Sequence, residues 1–164
     1  DLDLSVLDEL PARRGQVRTH LRTTAELPKI WRFVRDQLAA GRQAYVVYPR
    51  IEEDGSQAEL KSVIEEHNRL SELLKPFQAG LLHGRLEARQ SRRIMENFRA
   101  NHLQVLAATT VIEVGLDVPN ATVMVIENAG QYGLSQLHQL RGRIGRGAAD
   151  AHCILVEDSR KADA

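Results

Sequence analysis

Short apolar runs alternate with longer amphipathic ones along this chain. Gln16 to Leu21 reads as a strand, and Thr24 reads as the N-cap of a helix running to about Ala40. In that helix Ile30, Phe33, Val34 and Leu38 recur at helical spacing, and Gly41 stops it. Gln43 to Tyr48 predicts a second strand, ended by Pro49. A polar loop from Glu52 to Ser56 leads into a long helical pattern from Gln57 to about Phe77. The core stripe of that helix is Leu60, Val63, Ile64, Leu70, Leu73, Leu74 and Phe77. Ala79 to Leu82 predicts a third strand, Ala88 to Arg99 a third helix, and Leu103 to Ala108 a fourth strand. Thr122 to Ile126 predicts a fifth strand, Leu134 to about Ile144 a fourth helix, and His152 to Val156 a last strand.

Short apolar strands separated by helices point to an α/β fold in three layers. Its mainly parallel sheet is flanked by helices on both faces. At 164 residues the chain suits one domain with a full core. Its 43% hydrophobic and 27% charged residues are those of a globular protein. Lys plus Arg and Asp plus Glu number 22 each, so no overall field attracts a polyanion. Nucleic-acid contacts would have to come from local donors. The single cysteine, Cys153, lies in an apolar run and reads as a small buried hydrophobe, which excludes an intrachain disulfide. No stretch has the apolar length of a membrane span, and the start Asp1-Leu2-Asp3-Leu4 is no signal peptide. That start predicts a cut made inside a longer protein.

Ligands of open parallel sheets bind beyond the carboxyl ends of the strands. The exits here are Pro49-Arg50, His83-Gly84-Arg85, Thr109-Thr110 and Glu127-Asn128, all able to hydrogen-bond or carry charge. The densest polar segment is Gln136 to Gly147, QLHQLRGRIGRG. On a helix Gln139, Arg143 and Arg146 share one stripe, while Leu137, Leu140 and Ile144 form another that docks on the sheet. Two glycines inside a helix cost about 1 kcal/mol each against alanine, which predicts a backbone pressed close to something. Paired arginines beside glycines suit a phosphate, because guanidinium is permanently charged and forks onto phosphate oxygens. The plainer reading is a solvated basic helix face with incidental glycines.

The run Gln-x-x-Gly-Arg-x-Gly-Arg, Gln139 to Arg146, resembles motif VI of superfamily 2 helicases. That motif belongs to the second of two RecA-like domains, of the P-loop NTPase type. The resemblance implies that Arg143 and Arg146 reach the γ-phosphate of ATP across a cleft, with Arg146 the arginine finger, and that Gln139 lies at the nucleotide. Thr109-Thr110-Val111-Ile112-Glu113-Val114-Gly115-Leu116-Asp117-Val118-Pro119 resembles motif V. It implies DNA-phosphate contacts from Thr109 and Thr110, and places Gly115 and Asp117 near the nucleotide sugar. Tyr45 to Pro49 resembles motif IV, and Leu81 to Arg85 the backbone-contacting segment after it. That makes His83, Gly84, Arg85 and Arg50 candidate DNA-phosphate contacts.

The wording between the motifs, Ala107 to Ala129 and Tyr132 to Gly147, resembles the RecG-like helicases. The transcription-repair coupling translocases share Gln136 to Arg143 but differ in the Val-Pro-Asn-Ala-Thr and Ile-Glu-Asn-Ala stretches. What the resemblance implies is a C-terminal motor domain over residues 16–158, after an interdomain linker at 1–15 and before a frayed tail at 159–164. No Gly-x-x-x-x-Gly-Lys-Ser/Thr occurs. ATP and Mg²⁺ would therefore be held mainly by the first RecA-like domain, with no cofactor or metal expected on this piece and no activity expected from it alone. Implied partners are branched DNA (forks and Holliday junctions) and the first RecA-like and wedge domains of the same polypeptide, with no membrane. A monomer in the bacterial cytoplasm, on nucleoid DNA, is the implied setting. A rival from another class is a non-catalytic interaction module on the same fold.

Overall fold

A computed structural model of the chain describes residues 16–48, 57–109, 118–145, 147 and 149–159. Six strands form one sheet: β1 (Val17–Thr23), β2 (Gln43–Val47), β3 (Ala79–Leu82), β4 (Val105–Ala108), β5 (Ala121–Glu127) and β6 (Ala151–Glu157). Their order is β1-β6-β5-β2-β4-β3, and every pairing is parallel. Four helices among the described residues cover it: α1 (Leu27–Ala39), α2 (Gln57–Leu73), α3 (Ala88–Arg99) and α4 (Leu134–Arg141).

Strand parity sorts the core into two layers. Ala44, Val46 and Tyr48, with Val105, Ala107, Val123, Val125, Ile154 and Val156, meet Ile30, Val34 and Leu38 of α1 and Leu70 of α2. Tyr45, Val47, Leu106, Ala108, Met124, Ile126, Cys153 and Leu155 point the other way. They meet Phe98 of α3 and Leu137 and Leu140 of α4. Successive side chains of a strand face opposite sides, so a strand covered on both needs an unbroken apolar run. That is why the inner strands carry no polar alternation, and Cys153 is buried as expected.

Several expected boundaries move. Thr24 opens a 3-10 turn, Thr24–Glu26, and the helix proper starts at Leu27-Pro28, where proline's missing N–H costs nothing. Gly41, at φ +91°, ends the first helix in the left-handed region as its type predicts. The second helix closes at Leu73, short of Phe77. Ile64 and Leu73, assigned to its core stripe, are 38% and 53% exposed. At about 100° per residue they stand roughly a quarter-turn to either side of the line through Val63, Leu70 and Leu74. Leu103 and Gln104 precede β4 and do not belong to it.

Candidate nucleic-acid and nucleotide interface

Parallel register lines up the exits of four strands. Leu82 of β3 and Val47 of β2 both pair with Ala108 of β4, and Val47 pairs with Ile126 of β5. One residue on, His83, Thr109, Tyr48 and Glu127 therefore stand in a row along the carboxyl edge. Backbone bonds extend the ladder past the strands: Thr109 N donates to Leu82 O (3.1 Å) and Tyr48 N to Ala108 O (2.9 Å).

The outer end of this row is open. His83 is half-exposed, and Gly84 and Arg85 are exposed in the turn before α3. Arg85 N donates to His83 Nδ1 at 3.3 Å, so the ring accepts there and keeps its proton on Nε2. Partial burial, then the charge of Arg85, hold the His83 pKa below the usual histidine value. The residue is thus a neutral donor at neutral pH, and its free Nε2–H suits a phosphate oxygen. A side chain at Gly84 would meet nothing within 4 Å, so packing within the chain does not require glycine there.

The inner part is closed and polar. Thr109 is 1% exposed, and its hydroxyl has no hydrogen-bond partner. Tyr48 OH and Glu127 Oε2 are likewise buried without partners. Burial, reinforced by Glu66, pushes the Glu127 carboxyl up to about 7. Burial, then Glu127, also raise the Tyr48 phenol far above its ordinary value. Tyr132 OH donates to Tyr48 O at 3.1 Å, tying the 3-10 turn Ala129–Gln131 over the end of β2.

Motif VI does not form the expected single stripe. The helix stops at Arg141, with Gly142 as its cap and Gly145 at φ +81°, so Arg143 lies in a turn. Gln139 is exposed on α4. Arg143 is half-buried and lines a small recess with Tyr45, Val47, Ala108 and Met124. Of the two glycines expected inside the helix, Gly145 marks a close approach to this chain's own side chains, whereas a Cβ on Gly142 would stand an ordinary 3.4 Å from Gln139 O and His138 O. A Cβ on Gly145 would overlap Val17, and one on Gly147 would stand 3.1 Å from Pro119 O. The end of the motif, Gly145 and Gly147, thus returns to the amino ends of β1, β5 and β6, while Arg143 stays beside Val47 and Ala108, the last residues of β2 and β4.

Arg50, Thr110, Gly115, Asp117 and Arg146 lie outside the described residues. Sequence reading missed three groups. Arg141 is 6% exposed, and its Nη2 donates to Val17 O at 2.6 Å, pinning the end of α4 to β1. Its place four residues after Leu137 was the available signal. Gln43, buried at the start of β2, donates to Phe98 O (2.7 Å) and Leu103 O (2.9 Å) and accepts from Asn120 Nδ2 (3.1 Å). A lone Gln opening an apolar strand gives no sequence signal of that role. Glu127 was noted as an exit residue, but nothing in the sequence reports its burial.

The sequence model of the helicase conserved C-terminal domain matches residues 26–148. The chain belongs to that family. Along all of its length it is 48% identical to the ATP-dependent DNA helicase RecG of Synechocystis. It is 45% identical to RecG of Bacillus subtilis over 98% of the chain. The match takes up 20% and 24% of those relatives, so this helicase C-terminal domain spans a fifth to a quarter of their length. A structure of RecG bound to a three-way DNA junction superposes with a TM-score of 0.75 at 44% identity, over 92% of this chain and 19% of that one. The C-terminal domain of the DEAD-box protein Dbp5, at 16% identity and TM-score 0.53 over 96% of this chain and 82% of that one, shares the fold. The RecA-like architecture and the RecG-type resemblance are therefore borne out. No helix among the described residues is long and apolar enough to cross a membrane.

Proposed function

We propose that this helicase C-terminal domain is the second motor domain of an ATP-dependent DNA helicase that remodels branched DNA and stalled forks. The observation that carries the reading is unbroken likeness to RecG across the chain, with Gln139 to Arg146 complete. ATP supplies the phosphoryl group whose transfer drives the motor. Among the described residues, the exposed amide of Gln139 and the guanidinium of Arg143 fit such a nucleotide, as hydrogen-bonding and phosphate-directed donors. No group of three or more His, Cys, Asp or Glu among them could hold a metal ion. Mg²⁺ would accompany the ATP phosphates on the first motor domain.

Residue by residue, Arg143 and Arg146 stabilise the charge that spreads over the γ-phosphoryl oxygens, with Arg146 the finger. Gln139, Gly115 and Asp117 hold the nucleotide. Arg143 swings out of its recess to do so. His83, through Nε2–H, together with Gly84 and Arg85, grips a DNA phosphate, and Arg50, Thr109 and Thr110 extend that grip. Thr109 takes part only once its hydroxyl is uncovered. Residues 1–15 link this domain to the first motor domain and 16–158 form the domain; Ser159, expected in a frayed tail, is instead tied to Thr24 through its N–H (3.1 Å). The first motor domain and the wedge domain are its partners in one monomeric polypeptide, which works in the bacterial cytoplasm on nucleoid DNA. Alone, the domain hydrolyses no ATP.

The test is DNA-stimulated ATP hydrolysis by the full-length protein on a model fork, wild type against Arg146→Ala. An arginine finger is worth roughly 10³ to 10⁵ in rate in GTPases, so turnover should fall at least about a hundredfold with fork binding nearly kept. Unchanged turnover would remove the motor reading and bring the interaction module forward.

A further inference from the structure

Behind the carboxyl edge, a cleft of about 530 Å³ opens between the ends of β2 and β5 and the flank of α2. Tyr48, Glu127 and Asn128 line it from the sheet side, and Glu59 and Glu66 from the helix. Acidic side chains alone would mean little on a protein surface. Here a second observation stands beside them. Tyr48 is only 3% exposed, lines the cleft, and has a buried hydroxyl with no hydrogen-bond partner. Glu127 Oε2, on the next strand, is in the same state. Buried polar atoms left unpaired are costly, so two side by side in one cleft call for a ligand with several donors.

We propose that this cleft is a socket for an arginine side chain presented by a protein segment packed against the carboxyl edge. Charge complementarity selects the occupant. No described residue lining the cleft is basic, so it offers a phosphate no cation and the DNA path does not cross it. An apolar side chain would leave Tyr48 and Glu127 unsatisfied. A bare metal ion needs converging ligands, and no group of three His, Cys, Asp or Glu among the described residues supplies them. Guanidinium brings five N–H donors in one plane and sheds its water more readily than ammonium. It can serve the Glu127 carboxylate and the Tyr48 hydroxyl oxygen together, beside Glu66, whose Oε2 already accepts from Arg69 Nη2 at 2.5 Å. Ionised by that partner, Glu127 would titrate well below its free value. The socket goes beyond the motor reading and does not depend on it.

The test is carboxyl and aromatic ¹³C NMR of the chain titrated with N-acetylargininamide. Saturable shifts at Glu127, Glu66 and Tyr48 are expected, with the Glu127 midpoint falling by at least one pH unit. N-acetylleucinamide at the same concentration should shift nothing. Glu127→Gln should weaken the response at least tenfold, and Tyr48→Phe severalfold, with circular dichroism and melting showing both folded. A Glu127 midpoint that ignores the arginine probe, one that moves with magnesium chloride instead, or a response undiminished in Glu127→Gln would each overturn the socket. None of these outcomes bears on ATP turnover, so the socket and the motor assignment fail separately.

Discussion

The two edges of the sheet treat their polar groups in opposite ways. At the amino edge, polar side chains are spent on the fold. Gln43 serves Phe98 O and Leu103 O, and Asn120 Nδ2 serves Gly41 O (2.9 Å) and Gln43. Gln104 takes the N–H of Gln78 (2.8 Å) and gives to Asn101 O (2.8 Å), Asp150 takes that of Gln16 (3.0 Å), and Arg141 holds Val17 O. At the carboxyl edge, Thr109, Tyr48 and Glu127 keep buried polar atoms without partners. Away from that edge, Thr122 Oγ1 at the start of β5 and His67 Nδ1 on α2 are also buried without hydrogen-bond partners. Unsatisfied buried groups are costly, so an edge that collects them is held ready for something other than its own chain. On the proposed reading, the amino edge is scaffold and the carboxyl edge is interface.

Three stability changes sharpen that contrast, starting with the largest. Gly145→Ala forces a Cβ into the left-handed region and against Val17, and should cost about 3 kcal/mol in denaturant unfolding. A cost under about 1 kcal/mol would mean that the turn after α4 is not clamped to the amino edge. Gln43→Ala strips two buried carbonyls of their donor and should cost about 2–3 kcal/mol. Glu127→Gln, on the other edge, should stabilise. The folded carboxyl titrates near 7 against an ordinary 4.5. Below 4.5 it is protonated in both states and costs nothing. Between 4.5 and 7 the unfolded chain ionises first, so stability falls as pH rises, and above 7 the loss is complete. The variant should therefore gain about 2 kcal/mol at pH 8 and nothing at pH 4. Equal gains at both would show that burial of Glu127 is not the cause.

The fold was legible because strand parity and helix periodicity write the same two-layer answer into the sequence. All six strands and four helices were anticipated, and Ala79–Leu82 and Ala88–Arg99 fell on their observed bounds. The errors came where tertiary contact overrides local pattern. Gln139 to Arg146 looks continuous on a helical wheel, yet Gly142 and Gly145 break it, because the chain must turn beside Val17. Arg141 reads as one more basic residue of a phosphate motif, and its burial against β1 shows only in three dimensions. Likewise Glu127 announces an exit and Tyr48 ends a strand, but pairing of β5 with β2 is what sets them beside Glu66 in one cleft.

The most direct test of the edge assignment is fork-binding affinity of the full-length protein for His83→Ala and Gln43→Ala, each measured well below its melting temperature. His83→Ala should weaken binding about fivefold, as loss of one hydrogen bond worth about 1 kcal/mol implies, with the melting temperature unmoved. Gln43→Ala should bind like wild type and melt lower. Fork binding unchanged in His83→Ala, or lost to the same extent in Gln43→Ala, would contradict the division of the sheet into scaffold and interface.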